Sequence, residues 1–254
     1  MDQEKLSILS KFFPKPRPAF IYTLFKVPVL APIIDKQVKE LIMPTFVQND
    51  FLEQFPVFTN LEVLTIEVPE ARDSGVIRLI QGSSQTLTKI TLNASKITAA
   101  TLEELQKCPN LEWLSLDNCQ FAENPFDTLL AVLKATKVTQ LFIKNVPHLT
   151  EQQIGELISV RAMTRLGFRK TDLLSVELFK VLQDTPSLGS SLIRLDLENF
   201  DQLNVDHIVA LLKAFQSLKA ISFLDGNGIE AQFAPLSMSL KHPSLEELIL
   251  PTGT

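Results

Sequence analysis

Apolar residues in this chain recur in a fixed figure: one apolar position, two free positions, a second apolar, one free, a third apolar. It reads Leu61-x-x-Leu64-x-Ile66, Leu87-x-x-Ile90-x-Leu92 and Leu111-x-x-Leu114-x-Leu116, then Val138-x-x-Leu141-x-Ile143 and Met163-x-x-Leu166-x-Phe168. It continues through Leu192-x-x-Leu195-x-Leu197, Leu218-x-x-Ile221-x-Phe223 and Leu245-x-x-Leu248-x-Leu250. Successive starts lie 24 to 29 residues apart. The last two apolar residues of each figure are two positions apart, the period of a strand with one buried face.

The stretches between the figures carry helix signals. Thr101-Leu-Glu-Glu104 and Thr150-Glu-Gln-Gln153 fit the capping box, in which side chains satisfy the free N–H groups of a helix start. Asn124-Pro125 reads as an N-cap followed by proline at the first helical position. Leu129-Leu130-x-x-Leu133 and Ile208-x-x-Leu211-Leu212-x-x-Phe215 are apolar stripes at helical spacing. One strand–helix unit cannot bury its apolar side alone, so the units must stack. Each inward Leu or Ile then contributes about 1.5–3 kcal/mol. The predicted fold is an α/β solenoid with a curved parallel sheet inside and helices outside. Residues 57–254 form its repeat domain, of about eight repeats. Residues 1–56 do not match the figure and are expected to form a helical capping module. The insertion Pro186–Ser191 is expected as a loop at the rim, and Gly226-Asn-Gly228 as a turn.

These repeats resemble the leucine-rich repeat family across roughly residues 57 to 254. The segment Cys108-Pro-Asn-Leu111-Glu-Trp-Leu114-Ser-Leu116-Asp-Asn-Cys119 is similar to the cysteine-containing subclass found in F-box-type substrate receptors of ubiquitin ligases. The resemblance implies a protein-interaction scaffold, with a ubiquitin-ligase receptor or a bacterial effector acting inside a host cell as alternatives.

Composition narrows the reading further. The chain is 45% hydrophobic and 21% charged, enough apolar material for a sizeable core. A net charge of -5 argues against a general nucleic-acid binder. Two cysteines, Cys108 and Cys119, do not make a disulfide framework. Met1–Lys5 lacks the pattern of a secretory signal. The apolar run Phe20–Ile34 contains Lys26 and is shorter than the roughly 20 residues a bilayer requires, so it is expected to be buried in the N-terminal module. The expected location is the cytoplasm.

No catalytic constellation emerges. His148, His207 and His242 fall in different repeats without metal-ligand spacing. Gly226-Asn-Gly228 lacks the Lys-Ser/Thr of a phosphate-binding loop, and no Gly-x-Ser-x-Gly elbow is present. Acid pairs such as Glu103-Glu104 and Glu246-Glu247 read as solvated faces. The expectation is a protein that is not an enzyme and uses no cofactor or metal.

In the strand figure the residues between the buried ones face the inner, concave surface. Trp113, the single tryptophan, then stands beside Phe142 on the adjacent strand. Lys144, Arg165, Arg169, Lys170 and Arg194 follow on neighbouring strands about 5 Å apart. Trp and Arg are enriched at binding hot spots, and Gly167 between two arginines would leave room for a partner. The alternative is that Trp113 folds down on Phe142 while the arginines pair with Asp196 and Glu198. As a binding surface the patch would suit another protein offering an acidic or phosphorylated segment, since guanidinium groups bind carboxylates and phosphates in bidentate fashion. Nucleic acid is a less suited partner, because Glu67, Asp117, Asp196 and Glu198 border the patch, and a small-molecule substrate is not expected.

Overall fold

A computed structural model describes residues 38–45, 49–54, 57–94, 96–169, 177–200, 204–224 and 242–249. They build one open sheet of nine parallel strands in strictly sequential order. The strands are β1 (Glu40–Met43), β2 (Val63–Ile66), β3 (Lys89–Asn93), β4 (Trp113–Asp117) and β5 (Gln140–Lys144), then β6 (Arg165–Arg169), β7 (Arg194–Glu198), β8 (Ala220–Leu224) and β9 (Glu247–Ile249). Between them run α1 (Asn49–Gln54), α2 (Asp73–Ser83), α3 (Ala99–Leu105), α4 (Phe126–Ala135), α5 (Glu151–Ser159), α6 (Glu177–Gln183), α7 (Pro186–Ser191) and α8 (Val205–Ala214).

The aliphatic positions of the figure line up in register. Leu64, Ile90, Leu114, Leu141, Leu166, Leu195 and Ile221 are successive partners across the sheet. All seven are fully buried in one core with the inward residues of the helices, including Leu102, Leu129, Leu133 and Leu211.

The start of each strand is fixed by a carbonyl shared between two amides of the next unit. Thr88 O accepts from Glu112 and Trp113, Glu112 O from Thr139 and Gln140, and Thr139 O from Thr164 and Arg165. Ile193 O and Lys219 O repeat the arrangement with the two units that follow. Side chains reinforce it: Thr86 Oγ1 donates to Leu61 O, Asn110 Nδ2 to Gln85 O and Ser191 Oγ to Met163 O. A slip of one residue would break these bonds and turn the aliphatic row outward.

Four expectations need correction. First, the sheet begins inside residues 1–56: β1 pairs with β2, with Leu41 opposite Leu64 and Met43 opposite Ile66. Val38-x-x-Leu41-x-Met43 is a ninth copy of the figure. The remainder of the proposed cap, residues 1–37 with the run Phe20–Ile34, lies outside the described residues. Second, Pro186–Ser191 is a short helix and not a loop, with proline at its start and Leu188 buried. Third, Thr101 is not a cap. Thr98 occupies that position and accepts from Ala100 N, while Thr101 Oγ1 donates to Asp73 Oδ1 at 2.6 Å. Fourth, Glu104 is buried (7% exposed), held by Lys107 at 2.8 Å and Gln81 at 3.2 Å.

Thr150 and Gln153 form the expected reciprocal capping box. At the start of α4 the cap position falls on Pro125, one residue later than expected, while Asn124 Oδ1 accepts from Phe126 N. Gly226-Asn-Gly228 lies outside the described residues. Among the described residues no helix is long and apolar enough to cross a membrane.

Candidate functional site

The face of the sheet opposite the helices presents three rows of side chains, each crossing the strands at one register position. The first row runs Val63, Lys89, Trp113, Gln140, Arg165, Arg194, Ala220 and Glu247. The second contains Thr91, Ser115, Phe142, Gly167, Asp196 and Ser222; the third contains Asn93, Asp117, Lys144, Arg169 and Glu198. Trp113, Phe142, Lys144, Arg165, Arg169 and Arg194 therefore share one face. Lys170 lies outside the described residues.

At its centre Trp113 stacks on Phe142, ring centroids 4.5 Å apart and planes inclined by 21°. The Lys89 ammonium sits 4.2 Å from the centre of the Trp113 ring, a cation–π contact. Phe142 is only 7% exposed. The gap expected at Gly167 is filled, because the Phe142 ring lies over that glycine. Trp113 Nε1 is buried and has no hydrogen-bond acceptor among the described residues.

The third row is an ionic network. Glu198 takes hydrogen bonds from Lys144 and, at 2.7 Å, from Arg169. Arg169 also reaches Asp117 at 3.5 Å. Burial pushes the Glu198 carboxyl up, but the hydrogen bonds and charges of Lys144 and Arg169 outweigh it and hold the group below the usual glutamate value. Asp117 goes the other way: burial raises it, with Glu198 adding to the rise, and the pull of Arg169 and Lys144 does not compensate. Arg194 is held by Asp196 at 3.0 Å and Glu247 at 3.2 Å. Three of the cations read as partner-binding are thus neutralised within the sheet. Arg165 is exposed and Lys89 half-buried, and neither has an ion-pair partner among the described residues.

Sequence reasoning missed the edge beyond these rows. Asn118, Asn145 and Asn199 adopt left-handed backbone, with φ of 52°, 49° and 60°. Asparagine tolerates that conformation better than most residues. Two of them chain on to Asn93: Asn145 Nδ2 donates to Asn118 Oδ1 at 2.6 Å, and Asn118 Nδ2 to Asn93 Oδ1 at 3.2 Å. A signal was present, since each of the three directly follows the charged last residue of a strand. Cys119 accompanies this edge, with Sγ 3.4 Å from Leu92 O. Burial pushes both Cys108 and Cys119 up to about 12. Among the described residues no group of three or more His, Cys, Asp or Glu side chains converges as a metal site would require.

Sequential parallel strands, one helical side and a leucine row in every unit define a leucine-rich repeat solenoid. No family model and no curated protein matches the chain. Among solved structures it is similar to the leucine-rich repeat-containing protein LegL7 from Legionella pneumophila, at 18% identity, over 82% of this chain and 84% of that one, with a TM-score of 0.44.

Proposed function

We propose that this solenoid is a non-catalytic protein-interaction scaffold that receives another protein on the open face of its sheet. The observation that supports the reading is the half-buried Trp113, stacked on Phe142, with Lys89 over its ring and Arg165 two strands further along the same row. A large aromatic beside cations is the composition of an interface hot spot. The ion pairs of Lys144, Arg169 and Arg194 make those three side chains supports of the surface more than contacts for a partner.

The test is to place a photo-crosslinking phenylalanine analogue at Trp113, or at Lys213 on α8 as control, and expose the intact protein to candidate partners. Adducts from position 113 alone, suppressed by excess unlabelled protein, are the expected result. Adducts only from the helical side would reject the reading.

The ubiquitin-ligase alternative rests on Cys119, whose equivalents elsewhere are Pro69, Ser95, Val146, Thr171, Phe200 and Gly226. Residues 1–56 carry no recognisable F-box pattern. Failure to associate with the ligase adaptor subunit would eliminate it. No observation on the site favours an effector over an endogenous scaffold.

A further inference from the structure

We infer that the first row of the open face, from Lys89 through Trp113 and Gln140 to Arg165, is a docking strip for an extended acidic segment that crosses the strands and carries two carboxylates four residues apart. The inference rests on the scaffold reading and narrows it to one row and one ligand chemistry.

Charge bookkeeping on the face selects this row. In the third row Lys144 and Arg169 are matched by Glu198 and Asp117. Arg194 faces two carboxylates, Asp196 and Glu247, so its surroundings carry a net negative charge and repel a second anion. Lys89 and Arg165 alone among the cations of β3–β8 have no carboxylate partner among the described residues, and both lie in the first row. A cation without a counter-ion is free to bind a ligand carboxylate, and Lys89 does so beside the Trp113 ring.

Spacing gives the ligand its geometry. Lys89 and Arg165 are three strand intervals apart, which is roughly 14 Å at about 4.8 Å per interval. An extended chain rises about 3.4 Å per residue and returns a side chain to the same face every second residue, so positions i and i+4 match the two cations. The side chain at i+2 then falls between Trp113 and Gln140, where an apolar group would lie against the indole. Drawing the Lys89 ammonium toward a carboxylate uncovers the face of the Trp113 ring on which it sits. Two isolated single charges suit two carboxylates. A phosphate dianion needs convergent cations, and the nearest further cation, Arg194, is already occupied.

The experiment uses the full chain and a fluorescent synthetic peptide with two glutamates separated by three residues, a phenylalanine midway between them and a neutral background. Polarisation reports binding, and the emission of Trp113, the chain's single tryptophan, reports contact at the strip. The expected result is saturable binding with a shift of Trp113 emission, weakened about tenfold by Lys89→Ala or Arg165→Ala. Lys213→Ala on α8 should leave it unchanged, and added salt should weaken it. Equal binding of the glutamine-for-glutamate peptide, no binding at all, or full affinity in Arg165→Ala would overturn the strip. Tighter binding of the phosphoserine peptide or of single-stranded DNA would overturn the carboxylate assignment. If peptide binding fails while adducts still form from position 113, the strip is wrong and the scaffold reading survives. Loss of both removes the scaffold reading as well.

Discussion

Phe142 occupies the space that a side chain at Gly167 would need: a β-carbon there would lie 2.8 Å from Cε1 and closer still to Cδ1. The glycine sits opposite Phe142 across β5 and β6, and its missing side chain lets the ring lie flat on the sheet as a platform for Trp113. Gly167→Ala should displace the ring, separate the aromatic pair and cost about 1–3 kcal/mol through overpacking. A lower melting temperature together with a red-shifted Trp113 emission would show it. An unchanged emission maximum would mean that the platform does not depend on the glycine.

The two acids of the third row should respond oppositely to neutralisation. Glu198 has a folded pKa below its ordinary value of 4.5, so its contribution is complete above that value and is lost as pH falls through the folded one. Glu198→Gln should cost about 2 kcal/mol at neutral pH by removing the negative charge that Lys144 and Arg169 share, with the deficit shrinking in acid. Asp117 has a folded pKa above its ordinary 3.8, so its ionisation lowers stability as pH rises through the raised value. Asp117→Asn should be neutral or stabilising at pH 7. Urea unfolding of both variants from pH 3 to 7 checks the pair.

If β1 is a full member of the stack, its leucine must matter as much as the leucine it faces. Leu41 is 1% exposed and Leu64 fully buried. Leu41→Ala and Leu64→Ala should each cost about 2–4 kcal/mol. A loss at Leu64 with none at Leu41 would detach β1 from the cooperative unit.

The two thiols should be inert in the folded protein. Burial raises both to about 12, so the thiolate fraction at neutral pH is negligible. Ellman's reagent should find no rapidly reacting thiol under native conditions and two in denaturant. A fast native reaction at either cysteine would contradict its burial.

The repeat was legible because it is written in bulky aliphatics at a fixed offset, and burial of those residues is what the sheet is made of. The same reading stopped at residue 57 although Val38-x-x-Leu41-x-Met43 fits the figure; its start lies 23 residues before Leu61, just short of the 24 to 29 that separate the other copies. Which residues share the open face followed from strand alternation alone, so Trp113 beside Phe142 and the row of cations were both visible. Pairing of the arginines with Asp196 and Glu198 was one of the two readings open, and Arg194–Asp196 and Arg169–Glu198 bear it out; the reach of Lys144 to Glu198 was not legible. Glu198 and Lys144 are 54 residues apart, and only the register of three strands brings them together. Alternation gives the face but not what lies on it, so it left open whether Trp113 folds down on Phe142; it does, and Phe142 is covered. Thr101 was misassigned as a cap because Asp73, its hydrogen-bond acceptor, belongs to the preceding unit.

Most polar contacts described here join a unit to its immediate neighbour, 22 to 29 residues away. Lys144–Glu198, Arg169–Asp117 and Arg194–Glu247 reach twice as far, each passing over one intervening strand. They act as cross-braces. Under load, or on proteolytic nicking of one connecting segment, the span from β4 to β9 should yield as a block, and the end from β1 to β3 should peel first.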